Sequence, residues 1–273
     1  MNPLAIHSPL VETVLVHFLR EETLHVGFSR AVVGISGGID SAVSAALAAR
    51  ALGPENVLGV LMPYSLSNPD SAAHATLLAE RLGIPTRTIE ISAMADGYLN
   101  QEGVDDRMRR GNVFARCRMI VLYDLSVEFG GLVIGTSNKT EILLGYSTQW
   151  GDAACAINPL GDLYKNQIVQ LARHLDVPSE IVDKPPSADL FEGQTDEDEL
   201  GFTYERVDRL LHYMVDERYT EAELLESGFE LAFVKRIAKR VAAMQYKRVP
   251  PLIAKLSDRT VNQDFRYLRD RGR

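Results

Sequence analysis

The sequence predicts an α/β protein with a doubly wound, mostly parallel sheet, helices on both faces and a helical C-terminal part. Short apolar runs alternate with segments of helical periodicity through the first 136 residues. Two of these runs are AVVGIS, a β-branched run from Ala31 to Ser36, and VLGVLM from Val57 to Met62, and neither alternates with polar residues. Strands buried on both faces of a parallel sheet have this composition, whereas half-exposed strands alternate. After residue 158 the periodicity is helical only.

The predicted elements follow from these patterns and from the glycines and prolines that end them. The strands are residues 31–36, 57–62, 86–91 and 132–136. The helices are residues 10–24, 42–52, 70–82, 112–129, 162–175, 204–215, 221–225 and 231–246. Two polar segments, residues 100–111 and 183–199, are predicted as long loops. No linker divides the chain, so we expect one domain over residues 1–273.

Composition excludes several classes of protein. The chain has 273 residues, a formal net charge of −8, 46% apolar and 24% charged residues, as in ordinary globular proteins. Its two cysteines, Cys117 and Cys155, form no CxxC pair, which argues against a disulfide framework or a zinc ribbon. No apolar run approaches the ~20 residues of a membrane span, and no secretory signal is visible. We therefore expect a cytoplasmic protein with no membrane partner.

Basic residues are concentrated at the C-terminal end. Residues 235–273 hold 12 basic and 3 acidic side chains, and the rest of the chain holds 17 basic and 34 acidic ones. Such a basic helical tail can bind an anionic ligand or partner, or it can be a solvated helix with a frayed terminus, and the sequence favours neither. Nucleic acid is not expected as a partner, because the body is acidic and the tail has few aromatic side chains to stack on bases.

The segment between the first predicted strand and helix is typical of a phosphate-binding loop. It reads Gly34-Ile35-Ser36-Gly37-Gly38-Ile39-Asp40-Ser41. Its glycines allow the backbone to approach a ligand closely. The N–H groups at the start of the helix point toward an anion, and the helix dipole favours negative charge there. The hydroxyls of Ser36 and Ser41 can donate further hydrogen bonds.

The spacing of this loop excludes two common phosphate-binding motifs. A Walker A loop counted from Gly34 needs Gly and Lys where this chain has Ile39 and Asp40. A dinucleotide fingerprint needs glycine at position 36, which is serine here. An aspartate beside phosphate oxygens is repelled unless a cation lies between them, so Asp40 implies bound Mg²⁺.

In this strand–turn–helix setting, SGGIDS resembles the PP-loop of the ATP pyrophosphatases, which cleave ATP between the α- and β-phosphates. Within that group the chain resembles the ammonia-dependent NAD synthetases. The motifs that carry the resemblance are LVIGTSNKTE, GYSTQWGD, PLGDLYKNQ, KPPSADL and QTDEDELG, which begin at residues 132, 145, 159, 184 and 194. The resemblance covers about residues 30–250 and implies a PP-loop ATP pyrophosphatase domain with an adenine nucleotide alpha hydrolase-like fold.

The resemblance implies roles for the residues of the ATP half of the site. The loop from Gly34 to Ser41 matches the cradle of the triphosphate. The further ATP contacts that it implies are Thr136, Lys165 and Ser187. The implied Mg²⁺ ligands are Asp40 and Glu141, and the implied catalytic residues are Asp40 and Lys165. A lysine in the first turn of a helix lies at the unfavourable end of the dipole, so a ligand anion explains Lys165 better than solvent does.

The acceptor half of the site departs from the family. The family transfers AMP to the nicotinate carboxylate of deamido-NAD, and ammonia then displaces AMP to give NAD. Arg116 matches a contact to deamido-NAD, but Gln149, Ala156 and Tyr246 stand where much of the family has Lys, Asp and His. These departures leave nicotinate mononucleotide open as an alternative acceptor.

Other expectations concern the partners and the competing functions. The family is typically homodimeric. Glutamine-dependent relatives carry a glutaminase domain, for which the residues before Ala31 are too few, so free ammonia is the expected nitrogen source. A non-catalytic nucleotide-binding module on the same fold is an alternative, although such a module would be expected to lose Asp40, Glu141 or Lys165. A PP-loop enzyme that thiolates RNA would need paired reactive cysteines and a basic face, and the body of this chain has neither.

Overall fold

Four short strands form one parallel sheet in the computed structural model, which describes residues 2–65, 68–186, 196–261 and 263–265. The strands are β1 (Ala31–Gly34), β2 (Val57–Leu61), β3 (Thr86–Thr88) and β4 (Leu132–Ile134). Their order across the sheet is β3-β2-β1-β4. The winding therefore reverses between β1 and β4. Such a switch point opens a crevice at the carboxyl ends of the two strands, where α/β proteins bind ligands.

Helices cover both faces of this sheet. Within the described residues the α-helices are α1 (Ser8–His25), α2 (Ile39–Leu52), α3 (Pro69–Leu82), α4 (Ser92–Gln101), α5 (Arg107–Phe129), α6 (Lys139–Leu144), α7 (Lys165–His174), α8 (Ser179–Val182), α9 (Asp196–Leu200), α10 (Tyr204–Leu211), α11 (Glu221–Glu226) and α12 (Leu231–Ala243). Helices α1, α2, α3 and α7 share an apolar core with one face, and α4 and α5 share one with the other. Helices α10, α11 and α12 form a third apolar cluster. The predicted fold class is confirmed.

The central strand and helix show why the sequence folds in this way. Ala31 and Val33 of β1 pack into one apolar core and Val32 packs into the other, because successive side chains of a strand point to opposite faces. Helix α2 is almost entirely buried and rich in alanine, so it lies close to the sheet. Its fully buried Ser44 donates a hydrogen bond from Oγ to the carbonyl oxygen of Gly135, at 2.9 Å. This bond fixes α2 to the end of β4, beside the crevice.

The prediction of a long loop at residues 100–111 is wrong. Helix α4 continues to Gln101 and α5 begins at Arg107, so only residues 102–106 connect them. Asp106 caps α5 by accepting a hydrogen bond from the Arg109 N–H at 2.8 Å, and Gly111 is buried inside the helix. The polar residues that suggested a loop are thus the exposed first turns of a helix. The third strand is also shorter than predicted, and its three residues are exposed at the edge of the sheet.

The C-terminal part departs from prediction in three places. Helix α10 ends at Leu211 and gives way to a π-helical turn, His212–Asp216. The end of the second predicted loop is helix α9, and residues 187–195 of that loop lie outside the described residues. Within its described residues, the tail that was predicted to be helical is helical only as far as a 3-10 turn at Gln245–Arg248, because Pro250 and Pro251 follow. In the described part of the chain, no helix is both long and apolar enough to cross a bilayer.

Candidate active site

The loop between β1 and α2 depends on one glycine. Gly37 has a φ of +77°, a left-handed conformation that residues with a Cβ rarely adopt. A Cβ atom on Gly37 would lie 2.2 Å from the carbonyl oxygen of Ser71, in the first turn of α3. The loop therefore passes so close to the backbone of α3 that no other residue type fits at this position.

Two serines hold the loop in shape. The Ser41 hydroxyl donates to the carbonyl oxygen of Gly38 at 2.9 Å and accepts from the Ser36 N–H at 3.2 Å. The hydroxyl of Ser36 lies 3.1 Å from that of Ser41. Ser41 is buried and Ser36 is exposed, so Ser41 supports the loop while Ser36 faces the crevice. Gly38 supplies no side-chain cap to α2, which leaves the first N–H groups of that helix for an anion.

The other residues of this loop differ in whether the side chain or only the backbone is available to a ligand. Ile35 is buried in the core beside α2, and a Cβ atom on Gly59 of β2 would clash with it. The predicted contribution of Ile35 to ATP binding is therefore restricted to its backbone. Gly34 ends β1, and Ile39 is the first residue of α2 and lines the cavity in front of the loop.

Three charged side chains from three helices meet at the start of α2. The Nζ of Lys165, in the first turn of α7, forms an ion pair with Asp40 of α2 and lies 3.6 Å from Oε1 of Glu141 on α6. Asp40 also accepts a hydrogen bond from the Asn138 side-chain amide at 2.9 Å. Only 5% of Lys165 is exposed, and its Nζ lies 5.2 Å from the centre of the Tyr204 ring. We call Asp40, Glu141 and Lys165 the charge cluster.

The charge cluster holds two carboxyl groups and one ammonium group. Burial alone would lower the pKa of Lys165, but the carboxylates of Asp40 and Glu141 raise it above its ordinary value, so the lysine is charged. Burial and the nearby Asp40 raise the pKa of Glu141, against the opposing effect of Lys165. The buried carboxylate of Asp196 adds more negative charge nearby. One ammonium group therefore does not keep the pKa of Glu141 at its ordinary value, and a further cation would favour the ionised form of this carboxyl group.

Helix α6 holds Glu141 at its N-terminus through a capping box. The Asn138 side chain accepts from the Glu141 N–H at 3.0 Å, and Oε2 of Glu141 accepts from the Asn138 N–H at 3.3 Å. The remaining oxygen, Oε1, is the one that faces Lys165. Asn138 thus positions both carboxylates of the cluster, which the sequence alone did not reveal.

Three residues of the basic tail, Arg240, Lys247 and Arg248, bind the C-terminal end of α6. Arg240 donates to the carbonyl oxygen of Leu144 at 2.9 Å, and Arg248 donates to that of Leu143 at 2.9 Å. Lys247 donates to the carbonyl oxygens of Gly145 and Ser147 at 2.8 and 2.6 Å. Cations at a helix C-terminus satisfy its free carbonyls and oppose its dipole. These three side chains therefore stabilise α6 inside the chain, which is neither of the two roles that the sequence left open for the tail.

Of the remaining predicted site residues, Thr136 lies beside the crevice at the carboxyl end of β4. Thr136 is half-buried, two residues beyond the end of β4. Arg116 is exposed on α5 and donates to the carbonyl oxygen of Gln149 at 3.2 Å. Ser187 lies outside the described residues. Lys184, which sequence analysis missed, lines the cavity in front of the loop and donates to the Ser71 hydroxyl at 2.8 Å. Its place in KPPS, next to the predicted phosphate contact, was the available signal.

The predicted Mg²⁺ site consists of two carboxylates. Among the described residues, no group of three or more His, Cys, Asp or Glu side chains converges on a common point. Magnesium, however, usually binds one or two carboxylates and takes its other ligands from substrate phosphates and water. Asp40 and Glu141, beside a phosphate loop and short of positive charge, fit that requirement.

The fold, the loop and the charge cluster together define a nucleotide-binding α/β protein of the PP-loop type. The sequence profile of the NAD synthase family matches residues 11–251. The NH₃-dependent NAD⁺ synthetase of Trichlorobacter lovleyi is 54% identical over 100% of both chains. The chain therefore belongs to the NAD synthase family, whose members are ligases that form a carbon–nitrogen bond. The sequence prediction of an ammonia-dependent NAD synthetase is confirmed.

Solved structures of similar proteins agree with this fold. The NH₃-dependent NAD synthetase of Campylobacter jejuni superposes with a TM-score of 0.79 at 33% identity and covers 92% of this chain and 100% of that one. The NMN synthetase of Francisella tularensis superposes with a TM-score of 0.80 at 34% identity and covers 92% and 99% of the two chains.

We predict that Gly37→Ala weakens ATP binding while the protein stays folded. The left-handed conformation costs a residue with a Cβ roughly 1–2 kcal/mol, and the contact with Ser71 adds to this cost. Titration calorimetry should show an affinity for ATP at least ~10-fold lower than that of the wild type. Gly97→Ala on α4, where a Cβ meets open space, is the control and should bind ATP normally. Normal ATP affinity in Gly37→Ala would contradict the geometry of the loop.

Proposed function

We propose that this protein joins ammonia to the nicotinate carboxylate of deamido-NAD and cleaves ATP to AMP and pyrophosphate. The observation that supports this chemistry is the charge cluster at the mouth of the phosphate loop, where a buried lysine and two carboxylates meet. Family membership supports the choice of substrates. All three residues that a non-catalytic module would be expected to lose are present.

The first step activates a poor electrophile. An oxygen of the nicotinate carboxylate attacks the α-phosphorus of ATP, the bond to the β-phosphate oxygen breaks, and pyrophosphate leaves. The N–H groups at the start of α2 and the Nζ of Lys165 would bind the triphosphate and stabilise the negative charge that grows on pyrophosphate. Asp40 and Glu141 would hold Mg²⁺, which supplies further neutralisation of phosphate charge when bound.

The second step needs no nucleophile from the protein. Ammonia attacks the acyl carbon of the adenylated nicotinate, AMP leaves with the carboxylate oxygen, and the nitrogen loses a proton to give the amide. The contribution of the chain is to orient the two substrates and to keep water from the acyl adenylate. The narrow cavity between the phosphate loop and Lys184-Pro185-Pro186 is a suitable place for this exclusion.

A second candidate acceptor is nicotinate mononucleotide. The similarity to the NMN synthetase of Francisella tularensis favours it, as do the departures from the family at Gln149, Ala156 and Tyr246. Ala156 and Tyr246 are exposed, and the carbonyl oxygen of Gln149 accepts a hydrogen bond from Arg116, the predicted contact to the acceptor. Positions that contact the dinucleotide in much of the family thus hold other residues in this chain, whereas the loop that is predicted to bind ATP matches the family.

We also propose that the protein is a homodimer that pairs through α5. One face of α5 presents exposed apolar side chains at helical spacing: Ile120 is 52% exposed, Tyr123 39% and Val127 83%. Arg116 lies one turn before Ile120 on the same face. A second copy packed on this face would therefore border the predicted acceptor contact. A cytoplasmic location remains the prediction made from the sequence.

The identity of the acceptor is tested by incubating the protein with ATP, Mg²⁺ and ammonium and with either nicotinate compound. We expect amidated dinucleotide from deamido-NAD by mass spectrometry. If only the mononucleotide is amidated, nicotinate mononucleotide is the acceptor and the proposal of deamido-NAD is wrong. ATP binding without any amidated product would contradict the proposed enzyme and support a nucleotide-binding module.

We predict that Asp40→Asn lowers turnover by ~10³-fold or more, because it removes a metal ligand and the partner of Lys165. The fold should persist, since Asp40 lies at the start of α2 and outside the apolar core. The rate is measured over a range of Mg²⁺ concentrations, and thermal unfolding is recorded in parallel. Asp70→Asn removes an exposed carboxylate from the first turn of α3 and should leave the rate unchanged. Wild-type turnover in Asp40→Asn would refute the metal assignment.

We predict that the double variant Ile120→Asp/Val127→Asp is monomeric. Two carboxylates on the apolar face of α5 would be desolvated in the proposed interface, which is costly. Sedimentation velocity should give a dimer for the wild type and a monomer for the variant. Leu10→Asp, at an equally exposed apolar position on α1, is the control and should remain dimeric. Dissociation by the control variant instead would place the interface elsewhere.

A further inference from the structure

A buried carboxylate outside the charge cluster has no part in the chemistry described above. Asp208 lies on α10 and is 0% exposed. Its neighbours on the same helix, Val207, Leu210 and Leu211, are buried apolar residues. Burial raises the pKa of Asp208, and a carboxylate at such a position is costly unless hydrogen bonds compensate it. An apolar side chain would fill this space at lower cost, so the carboxylate requires an explanation.

Three neutral donors surround Asp208, and they come from two other helices. Its Oδ1 accepts from the hydroxyl of Thr140 on α6 at 2.6 Å. Its Oδ2 accepts from the N–H of Asn166 on α7 at 2.8 Å and from the side-chain amide of Asn166 at 2.7 Å. Each oxygen of the carboxylate therefore binds a different helix, and Asp208 links the first turns of α6 and α7.

These donors are the immediate neighbours of the charge cluster. Thr140 precedes Glu141, and Asn166 follows Lys165. The Thr140 hydroxyl oxygen also accepts from the Lys165 N–H at 3.1 Å, so a continuous chain of hydrogen bonds runs from Asp208 through Thr140 to the backbone of Lys165. The N–H groups of Lys165 and Asn166 are among the first of α7, which has no earlier turn to bond them.

We propose that Asp208 is a positioning residue that fixes Lys165 relative to Glu141. This inference rests on the proposed function. The residue is fully buried and its hydrogen bonds go to Thr140 and Asn166; it would set the spacing of the first turns of α6 and α7 and thereby of the two side chains that flank Asp40. A carboxyl group accepts from each helix with a separate oxygen, whereas an amide offers only one accepting oxygen for both.

Asp208→Asn tests this role, because the amide has the shape of the carboxylate but turns one acceptor into a donor. We expect kcat to fall ~10–100-fold, as is typical when a group that orients reacting residues is changed, while the KM for deamido-NAD stays near the wild-type value. Leu211→Ala is the matched control: it lies on the same helix, is equally buried and makes no bond to the network. It should lower the melting temperature and keep the wild-type kcat.

A pair of variants at Thr140 tests the same link if Asp208→Asn fails to fold. Thr140→Val removes the hydroxyl and should lower kcat as Asp208→Asn does, whereas Thr140→Ser retains the hydroxyl and should restore it. The double variant Asp208→Asn/Thr140→Val should be no slower than the slower single variant, because both break one linkage. Wild-type kcat in Asp208→Asn, or in Thr140→Val where the former does not fold, would overturn the proposal.

The outcome can be separated from a failure of the proposed function. If the wild type yields no amidated product with either acceptor, the function is wrong, and amide hydrogen exchange then decides the positioning role. Faster exchange at Lys165 and Asn166 in Asp208→Asn but not in Leu211→Ala would support it. Equal exchange at these two amides in both variants would overturn it.

Discussion

The rest of the site depends on the ion pair between Lys165 and Asp40, with Glu141 beside it. Burial and the neighbouring Asp40 raise the pKa of Glu141, and the single ammonium group of Lys165 offsets only part of this effect. The proposed magnesium ion and polyphosphate would satisfy the site together, because the ion would favour the ionised carboxylates and the phosphates would supply its remaining ligands. The same arrangement explains why an aspartate, and not a lysine, stands in the phosphate loop.

The residues around this ion pair fix the position of one short helix, α6. Helix α6 has six residues, which is too few to be stable by itself. Its N-terminus is held by the Asn138 capping box, and its C-terminus is held by Arg240, Lys247 and Arg248. Asp208 then links it to α7. Residues from the last third of the chain thus determine where Glu141 stands, although they lie far from the loop in sequence.

Sequence reasoning succeeded where the signal is local. The strand, glycine-rich turn and helix from Ala31 to Leu52 are adjacent in the chain, so their arrangement could be predicted, and the binding of phosphate by the turn stays a prediction. The helix dipole argument predicted an anion beside Lys165; in the structure the carboxylates of Asp40 and Glu141 lie there, and the binding of a ligand anion stays a prediction. Asn138 and Asp208 were missed because their roles arise from contacts between helices that no spacing reveals. The predicted loop at residues 100–111 was wrong for a related reason, since tertiary packing of Gly111 and the Asp106 cap override the local preference for a loop.

The most direct test of this account is the identity of the phosphorus-containing products. Phosphorus NMR of a complete reaction, with ATP, Mg²⁺, ammonium and the nicotinate acceptor present, distinguishes cleavage at the α-phosphate from cleavage at the γ-phosphate. An aspartate in the loop and a lysine opposite it predict AMP and pyrophosphate in equal amounts. ADP and orthophosphate would show that the terminal phosphoryl group is transferred, and would contradict the account.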